Sequence, residues 1–125
     1  MQEREAIIRN YVEGYNNFDV PQMTQDFSED IIFENIQNGE LTMSLRGKKD
    51  FSRQAEQATS YFSERHQRIN KFRHEETLTE IGIEYYAVVA SNLPNGLSKG
   101  QELKLNGKSV FKFDGLKIVK LTDVI

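Results

Sequence analysis

The stretch VFKFDGLKIVKLTDVI, residues 110–125, decides the fold of this chain. Two runs rich in β-branched and aromatic residues meet in it at Asp114-Gly115, and such runs are typical of β-strands. An aspartate–glycine pair between two strand-like runs is typical of a tight hairpin turn. The sequence therefore predicts that the chain ends in a β-hairpin that completes a sheet.

Upstream of this hairpin the pattern predicts helices first and mostly strands afterwards. Apolar residues recur every three or four positions between Arg4 and Phe18, which indicates an amphipathic helix. Asp19 is placed to cap a short second helix with Pro21 in its first turn. The remaining predicted elements are strands at 31–36 and 41–45, a helix at 48–61, and strands at 67–75 and 80–90.

Two asparagine–glycine pairs interrupt the predicted strands. Asn38-Gly39 predicts a hairpin turn, whereas Asn106-Gly107 is compatible with either a bulge or a hairpin tip. The order is then helix, helix, strand, strand, helix and four strands. This order indicates an α+β fold rather than alternating βαβ units.

Composition limits the classes of protein to which the chain can belong. Its 125 residues form one domain, residues 1–125, and the absence of cysteine excludes disulfides, thiolate metal sites and a cysteine nucleophile. The net charge is −3 and basic residues alternate with acidic ones, so we expect no nucleic-acid partner. There is neither a signal-peptide core nor a run of membrane-spanning length, so we expect a cytoplasmic protein without a membrane partner.

The element order and three local signatures resemble the nuclear transport factor 2-like superfamily, in particular its SnoaL-like and ketosteroid-isomerase-like branches. The signatures are residues 15–19 (YNNFD), Arg46-Gly47 before the third helix, and residues 111–115 (FKFDG) leading to Asp123. This resemblance implies a cone-shaped α+β barrel, in which about three helices pack on a curved, mostly antiparallel sheet of about six strands around a pocket. The superfamily contains both enzymes and non-catalytic binding proteins, so the fold alone does not decide the function.

The resemblance to ketosteroid isomerases argues against their reaction in this chain. The tyrosine of the isomerase site corresponds to Tyr11, but the position of the catalytic base is Asn35 and that of the second oxyanion donor is Ser109. An amide does not accept a proton at neutral pH. Ketosteroid isomerase activity is therefore disfavoured.

Two other branches resemble the chain in part. Scytalone-dehydratase-like proteins imply roles for Tyr15 and His66, although Asn16 replaces their aspartate. SnoaL-type cyclases use an aspartate near the end of the barrel, and Asp123 is the corresponding candidate. Asp123 and His66 are therefore the candidate acid/base residues.

Each candidate also has a purely structural interpretation. Asp123 lies at even spacing from Val119, Leu121 and Ile125, which predicts that it faces the apolar side of its strand, either as a pocket acid or as a paired buried carboxylate. For His66, a strand-start or surface position beside its arginine neighbours is favoured over a role in the pocket. The candidate ligand-binding residues are Tyr11, Tyr15, Phe33, Asn35 and Tyr85. Each of them is also compatible with a position in the core.

Two hypotheses follow. In the first, the chain binds a small apolar or polyketide-like molecule without a cofactor or metal and is an isomerase, cyclase or dehydratase if it is an enzyme. In the second, the cone is filled and the chain is a non-catalytic homodimeric module. Its interface would be the outer sheet face, with Ile32, Ile36, Tyr86, Val88 and Val110. A cavity of roughly 300 Å³ that reaches Asp123 or His66 would favour the first hypothesis.

Overall fold

The structure is a computed structural model that describes residues 2–125. It contains three α-helices, a 3₁₀ turn and six strands in the predicted order. The elements are α1 Gln2–Asn16, α2 Val20–Thr24, β1 Phe27–Gln37, β2 Glu40–Arg46, α3 Lys48–Ala58, the 3₁₀ turn Thr59–Tyr61, β3 Phe62–His74, β4 Leu78–Val89, β5 Glu102–Asp114 and β6 Lys117–Val124.

All six strands form one open sheet in the order β2-β1-β6-β5-β4-β3. Every neighbouring pair is antiparallel except β1 and β6, which run parallel. The last strand therefore lies in the middle of the sheet between β1 and β5. The predicted α+β fold, with three helices on a curved and mostly antiparallel sheet, is confirmed.

The core lies between the helices and the inner face of the sheet. Ile8, Val12 and Tyr11 of α1 are buried there against Phe27 and Phe111. The Tyr11 ring stacks on Phe27 at a centroid distance of 5.8 Å and meets Phe111 edge-on at 5.5 Å. Aromatic residues therefore fix the position of α1 on the sheet.

The two predicted turns and the predicted cap form as expected. Asn38 and Gly39 both have positive φ angles, 52° and 80°, as a tight hairpin turn requires. Gly115 has a φ of 60° in the turn between β5 and β6. Asp19 caps α2, because its Oδ1 atom accepts a hydrogen bond of 3.1 Å from the Gln22 amide.

Three details of the strands differ from the prediction. β1 begins at Phe27 and includes the polar residues Ser28–Asp30. These residues lie where the pairing of β1 with β6 shifts its register, between Phe27 and Ile32. β3 begins at Phe62 rather than at residue 67. In β6, Phe113 pairs with Ile118 and Lys112 with Lys120, so Val119 is the extra residue of a bulge and Ile118 takes the buried position.

Gly107 is neither a turn nor a bulge against β4. β5 runs through it without interruption, and Gly107 pairs with Ile83. A Cβ atom at this position would lie 2.7 Å from the carbonyl oxygen of Val124. The glycine is therefore needed for the close approach of the end of β6.

Within residues 2–125, no helix combines the length and the apolar character needed to cross a membrane.

Candidate functional site

A cavity of about 330 Å³ lies inside the cone, between the helices and the sheet. Its walls are mainly apolar, and Asp123, Arg65, Asn35 and Gln54 add polar groups. A second cavity of about 280 Å³ adjoins it towards β4 and β5. Both cavities are lined by Tyr15, Asn35, Phe62 and Asp123.

Asp123 lies at the centre of a polar row across three neighbouring strands. It pairs with Asn35 of β1 on one side and with Ser109 of β5 on the other. Residues directly opposite each other in a sheet share a face, so all three belong to the inner face. Asn35 and Ser109, which replace the two acids of the isomerase site, therefore flank the carboxyl group of Asp123.

The setting of Asp123 favours its protonated form. Burial raises the pKa of its carboxyl group from 3.8 to about 6, and a hydrogen bond from Ser109 opposes part of this rise. The Ser109 hydroxyl donates this bond to Oδ1 over 2.6 Å. An aspartate with this pKa is ionised in most molecules at neutral pH, yet it can still be protonated readily, as a general acid/base requires.

Tyr11 presents a neutral hydroxyl group to the same cavity. Its pKa lies well above the usual value of 10.0, mainly because of burial and further because of the negative charge of Asp123, while Arg65 opposes the rise. Tyr11 and Asp123 line the same cavity. Tyr11 can therefore donate a hydrogen bond to a ligand oxygen close to the carboxylate.

Tyr15 and Tyr85 form a hydrogen-bonded pair at the boundary between the two cavities. Their hydroxyl oxygens are 2.8 Å apart, and one donates to the other. Burial raises the pKa of both groups, so both are neutral at physiological pH. Because the pair needs only one of the two protons, the other remains available to a ligand.

Arg65 brings a positive charge into the cavity wall from β3. Its Nε atom donates a hydrogen bond of 2.8 Å to the carbonyl oxygen of Tyr15. Its guanidinium carbon lies 3.9 Å from the centre of the Tyr15 ring and 4.4 Å from that of Phe18. The side chain is only 6% exposed, so these contacts hold it in one place.

Most of the predicted site residues come together in this region. Tyr11, Tyr15, Phe33, Asn35 and Asp123 line the first cavity, and Tyr85 lines the second with Asp123. His66 does not join them, because it is exposed and lies on surface depressions with Arg68 and Glu64. Alternation along β3 explains this, since Arg65 and Gln67 take the inward positions on either side of it.

Asn35 and His74 have local partners. The Asn35 amide nitrogen donates to the Thr42 hydroxyl over 2.9 Å, which turns its amide towards β2. His74, to which we assign no role, lies within hydrogen-bonding distance of Thr79 and Glu5, at 2.8 and 2.7 Å. Among residues 2–125 there is no cluster of three or more histidine, aspartate or glutamate side chains that could hold a metal ion.

The sequence does not predict the roles of two polar residues of the site, Arg65 and Ser109. The predicted strand at 67–75 excludes Arg65 and leaves it among the arginine neighbours of His66. Even spacing from Ile69 was a signal for its inward position, since Ile69 packs against the core. The sequence resemblance marks Ser109 only as the replacement of an acid, because its bond to Asp123 depends on the register of β5 and β6.

Comparisons with known proteins agree with this fold. The sequence profile of the SnoaL-like domain matches residues 8–121. A sequence search against curated proteins gives no match.

Solved structures resemble the chain over nearly its whole length. AclR from Streptomyces galilaeus, assigned as a hydroxylase, has 20% identity and a TM-score of 0.79, with 100% of this chain and 90% of that chain covered. A protein from Xanthomonas campestris pv. campestris, assigned as a polyketide cyclase, has 19% identity and a TM-score of 0.83, with 99% and 90% covered. A protein from Jannaschia sp. CCS1, assigned as a SnoaL-like polyketide cyclase, has 6% identity and a TM-score of 0.80, with 98% and 84% covered.

At these identities the structural likeness shows the fold alone, whereas the profile match spans most of the sequence. The chain belongs to the SnoaL-like domain family.

Proposed function

We propose that this protein binds a small, mainly apolar carbonyl compound inside the cone and transfers a proton with Asp123, without a cofactor. The observation that carries this proposal is the position of Asp123, a carboxyl group on the wall of an apolar cavity, held by Ser109. The cavity volume of about 330 Å³ is within the range of small-molecule sites. The names of the structural neighbours, which include polyketide cyclases, are in keeping with this class of ligand.

The groups around the cavity can divide the chemistry of proton transfer between them. Ionised Asp123 accepts a proton from a carbon next to the ligand carbonyl, and the electron pair moves to the carbonyl oxygen. The Tyr11 hydroxyl donates a hydrogen bond to the oxygen on which this negative charge develops. Protonated Asp123 then returns the proton to carbon, or the enolate carbon attacks a second carbonyl group of the ligand, whose π electrons move to its oxygen, and that oxygen takes the proton from Asp123.

His66 takes no part in this proposal, because its side chain is on the outside of the sheet. Asn35 and Phe33 line the cavity and contribute to its shape. The reaction could then be an isomerisation, a cyclisation or a dehydration, depending on the ligand.

The test is proton exchange at carbon, which does not require knowledge of the natural substrate. 2-Tetralone is a flat bicyclic ketone, and its α-hydrogens exchange with deuterium oxide at a rate that NMR measures. We expect the protein to accelerate the exchange above the buffer rate, and Asp123→Asn to lower this acceleration by about 10²-fold or more. The rate should rise as the pH increases through about 6, because the ionised carboxylate is the base.

A matched control is Glu34→Gln, which removes a carboxylate from the neighbouring strand on the opposite face, where Glu34 pairs with Lys120 at 3.3 Å. This variant should exchange 2-tetralone like the original protein. A thermal-shift screen of flat lactones, enones and ketones extends the search for ligands. The proposal fails if no compound raises the melting temperature and exchange stays at the buffer rate, or if Asp123→Asn is as active as the original protein.

A further inference from the structure

Arg65 is a buried cation whose hydrogen bonds are incomplete. Its Nη2 atom is buried and has no hydrogen-bond partner among residues 2–125. The bond from Nε to the Tyr15 carbonyl oxygen is the only one that these residues offer to the guanidinium group. Buried donors in folded proteins normally find partners, so an unpartnered one in a residue that lines a cavity needs an explanation.

Arg4 shows how the same chain treats a buried structural arginine. Arg4 is 9% exposed, and its guanidinium group donates to three main-chain carbonyl oxygens, those of Glu75, Glu76 and Leu78. These bonds hold the turn between β3 and β4 against α1. Arg65 has a comparable burial but lacks such a set of acceptors, so a structural role does not account for its whole guanidinium group.

Its positive charge is also not balanced by a neighbouring acid. Among the described residues Arg65 forms no ion pair, whereas Arg73 bonds to both Glu75 and Glu80. Arg65 lowers the pKa values of Tyr11, Tyr15 and Tyr85, while the pKa of Asp123 follows from burial and Ser109. The charge therefore acts on the three cavity hydroxyls.

The backbone next to Arg65 is strained in a way that keeps the guanidinium group in place. Phe18 has a φ of 57°, a left-handed conformation that is unfavourable for a bulky residue. The ring of Phe18 lies 4.4 Å from the guanidinium carbon, which also contacts the ring of Tyr15 at 3.9 Å. Such strain persists only where surrounding contacts support it and is often found at functional sites.

We propose that the ligand of the cavity is a flat organic anion, a carboxylate or the enolate or phenolate of an acidic ring, whose charged oxygen pairs with Arg65. This inference rests on the proposed function and adds a charge to its ligand. A charged oxygen would supply the missing acceptor and the missing counter-charge together, and Arg is well suited to it because its planar donors match such oxygens. The apolar walls bind the ring system, and the tyrosine hydroxyls bind its other oxygens.

The test compares two probes that differ in charge but little in shape. 4-Nitro-1-naphthol is an acidic phenol, which is an anion at pH 8, and 1-methoxy-4-nitronaphthalene is its neutral methyl ether. Calorimetry at this pH should show that the anion binds at least about tenfold more tightly than the ether, the equivalent of one pKa unit of interaction. If the ether binds as tightly as the anion, the inference is wrong and the proposed function stands.

Substitutions then locate the source of the preference. Arg65→Met should abolish it, whereas Arg68→Met, which removes the same charge from an exposed position on β3, should preserve it. Asp123→Asn should make the anion bind more tightly at pH 8, because it removes a like charge from the cavity wall. An anion held in the outer depression beside Arg65 and His66 would not respond to Asp123→Asn, and that result would also overturn the inference.

The probes keep the inference testable even if Arg65→Met does not fold. Two measurements then decide whether the ligand is an anion. The first is the ratio of the affinities for the anion and the ether in the original protein, and the second is the increase of this ratio in Asp123→Asn. If neither probe binds, this inference and the proposed function are both contradicted for flat aromatic ligands of this size.

Discussion

The carboxylate of Asp123 lowers the stability of the fold when it is ionised, because burial favours the protonated form. Its pKa is about 6 in the folded chain and near 3.8 when the chain is unfolded. A group with a raised folded pKa stabilises the fold fully below its unfolded pKa, and this contribution is lost as the pH rises through its folded pKa. The relevant range is therefore between about pH 4 and pH 6.

We predict that Asp123→Asn stabilises the protein at pH 8 by about 1–3 kcal/mol, in line with a pKa difference of about two units. The asparagine carbonyl can still accept the hydrogen bond from Ser109, so the main change is the loss of the charge. At pH 4 the two proteins should be nearly equal in stability. Urea unfolding at both pH values measures this, and equal stability at pH 8 would show that the carboxylate is well solvated.

Ser109 should set the pKa of Asp123 from the neighbouring strand. The hydroxyl stabilises the ionised carboxylate through the 2.6 Å hydrogen bond, so Ser109→Ala should raise the pKa of Asp123 above 6. The pH profile of 2-tetralone exchange, or a carbon NMR titration of the carboxyl group, reports this shift. An unchanged or lower pKa in Ser109→Ala would contradict the bond as a source of stabilisation.

At the level of single residues, alternation predicted the inward side of Asp123 through Leu121, which is fully buried. It did not predict the partner Ser109, because that contact depends on the register of two strands. Arg65 was missed for a related reason. The polar residues Ser63, Glu64 and Arg65 conceal the beginning of β3, and a shorter strand assigns them to a loop.

At the level of elements, Asn16 joins the end of α1 to an edge strand. Its amide nitrogen donates to the carbonyl oxygen of Gln67 over 3.0 Å, and its carbonyl oxygen accepts from the Gln67 amide over 2.7 Å. β3 is an edge of the sheet, so Asn16 satisfies both main-chain groups that a further strand would have bound. Only a side chain with a donor and an acceptor can do this.

We therefore predict that Asn16→Asp destabilises the protein by about 1–3 kcal/mol, since it loses one hydrogen bond and places a carboxylate against a carbonyl oxygen. Asn16 stands where scytalone-dehydratase-like proteins have an aspartate. The sequence resemblance alone would therefore suggest that Asn16→Asp is harmless. Asn17→Asp is the matched control, because the residue is adjacent and exposed. Chemical denaturation of both variants measures the difference, and equal losses would refute the role of Asn16.

At the level of the whole molecule, the outer face of the sheet bears on the predicted homodimer. Ile32, Val88 and Val110 are half-buried there, but the same face carries the ion pair of Lys120 with Glu34 and that of Lys108 with Glu80. Burying such pairs in an interface carries a desolvation cost. The homodimer stays a prediction, and sedimentation of the original protein and of Val110→Glu tests it, with a monomer expected for the variant alone.

Gly107 couples the end of the chain to the rest of the molecule. The Ile125 amide donates to Ile36 over 3.0 Å, and the Ile125 carbonyl accepts from Asn38 over 3.3 Å, so the chain end is held between β1 and β5. A side chain on Gly107 would collide with Val124 at the centre of this arrangement. An asparagine–glycine pair usually signals a turn, and only the three-dimensional neighbour of this glycine reveals its other role.

We predict that Gly107→Ala destabilises the protein by about 1–3 kcal/mol, the usual cost of overpacking. Since Asp123 directly precedes Val124, the displaced strand should also lengthen the Ser109 bond and raise the pKa of Asp123. Asn106→Ala, at the exposed neighbour, should change neither property. Urea unfolding together with the pH profile of 2-tetralone exchange separates the two effects. A stable Gly107→Ala variant with an unchanged profile would mean that the end of β6 moves independently of the site.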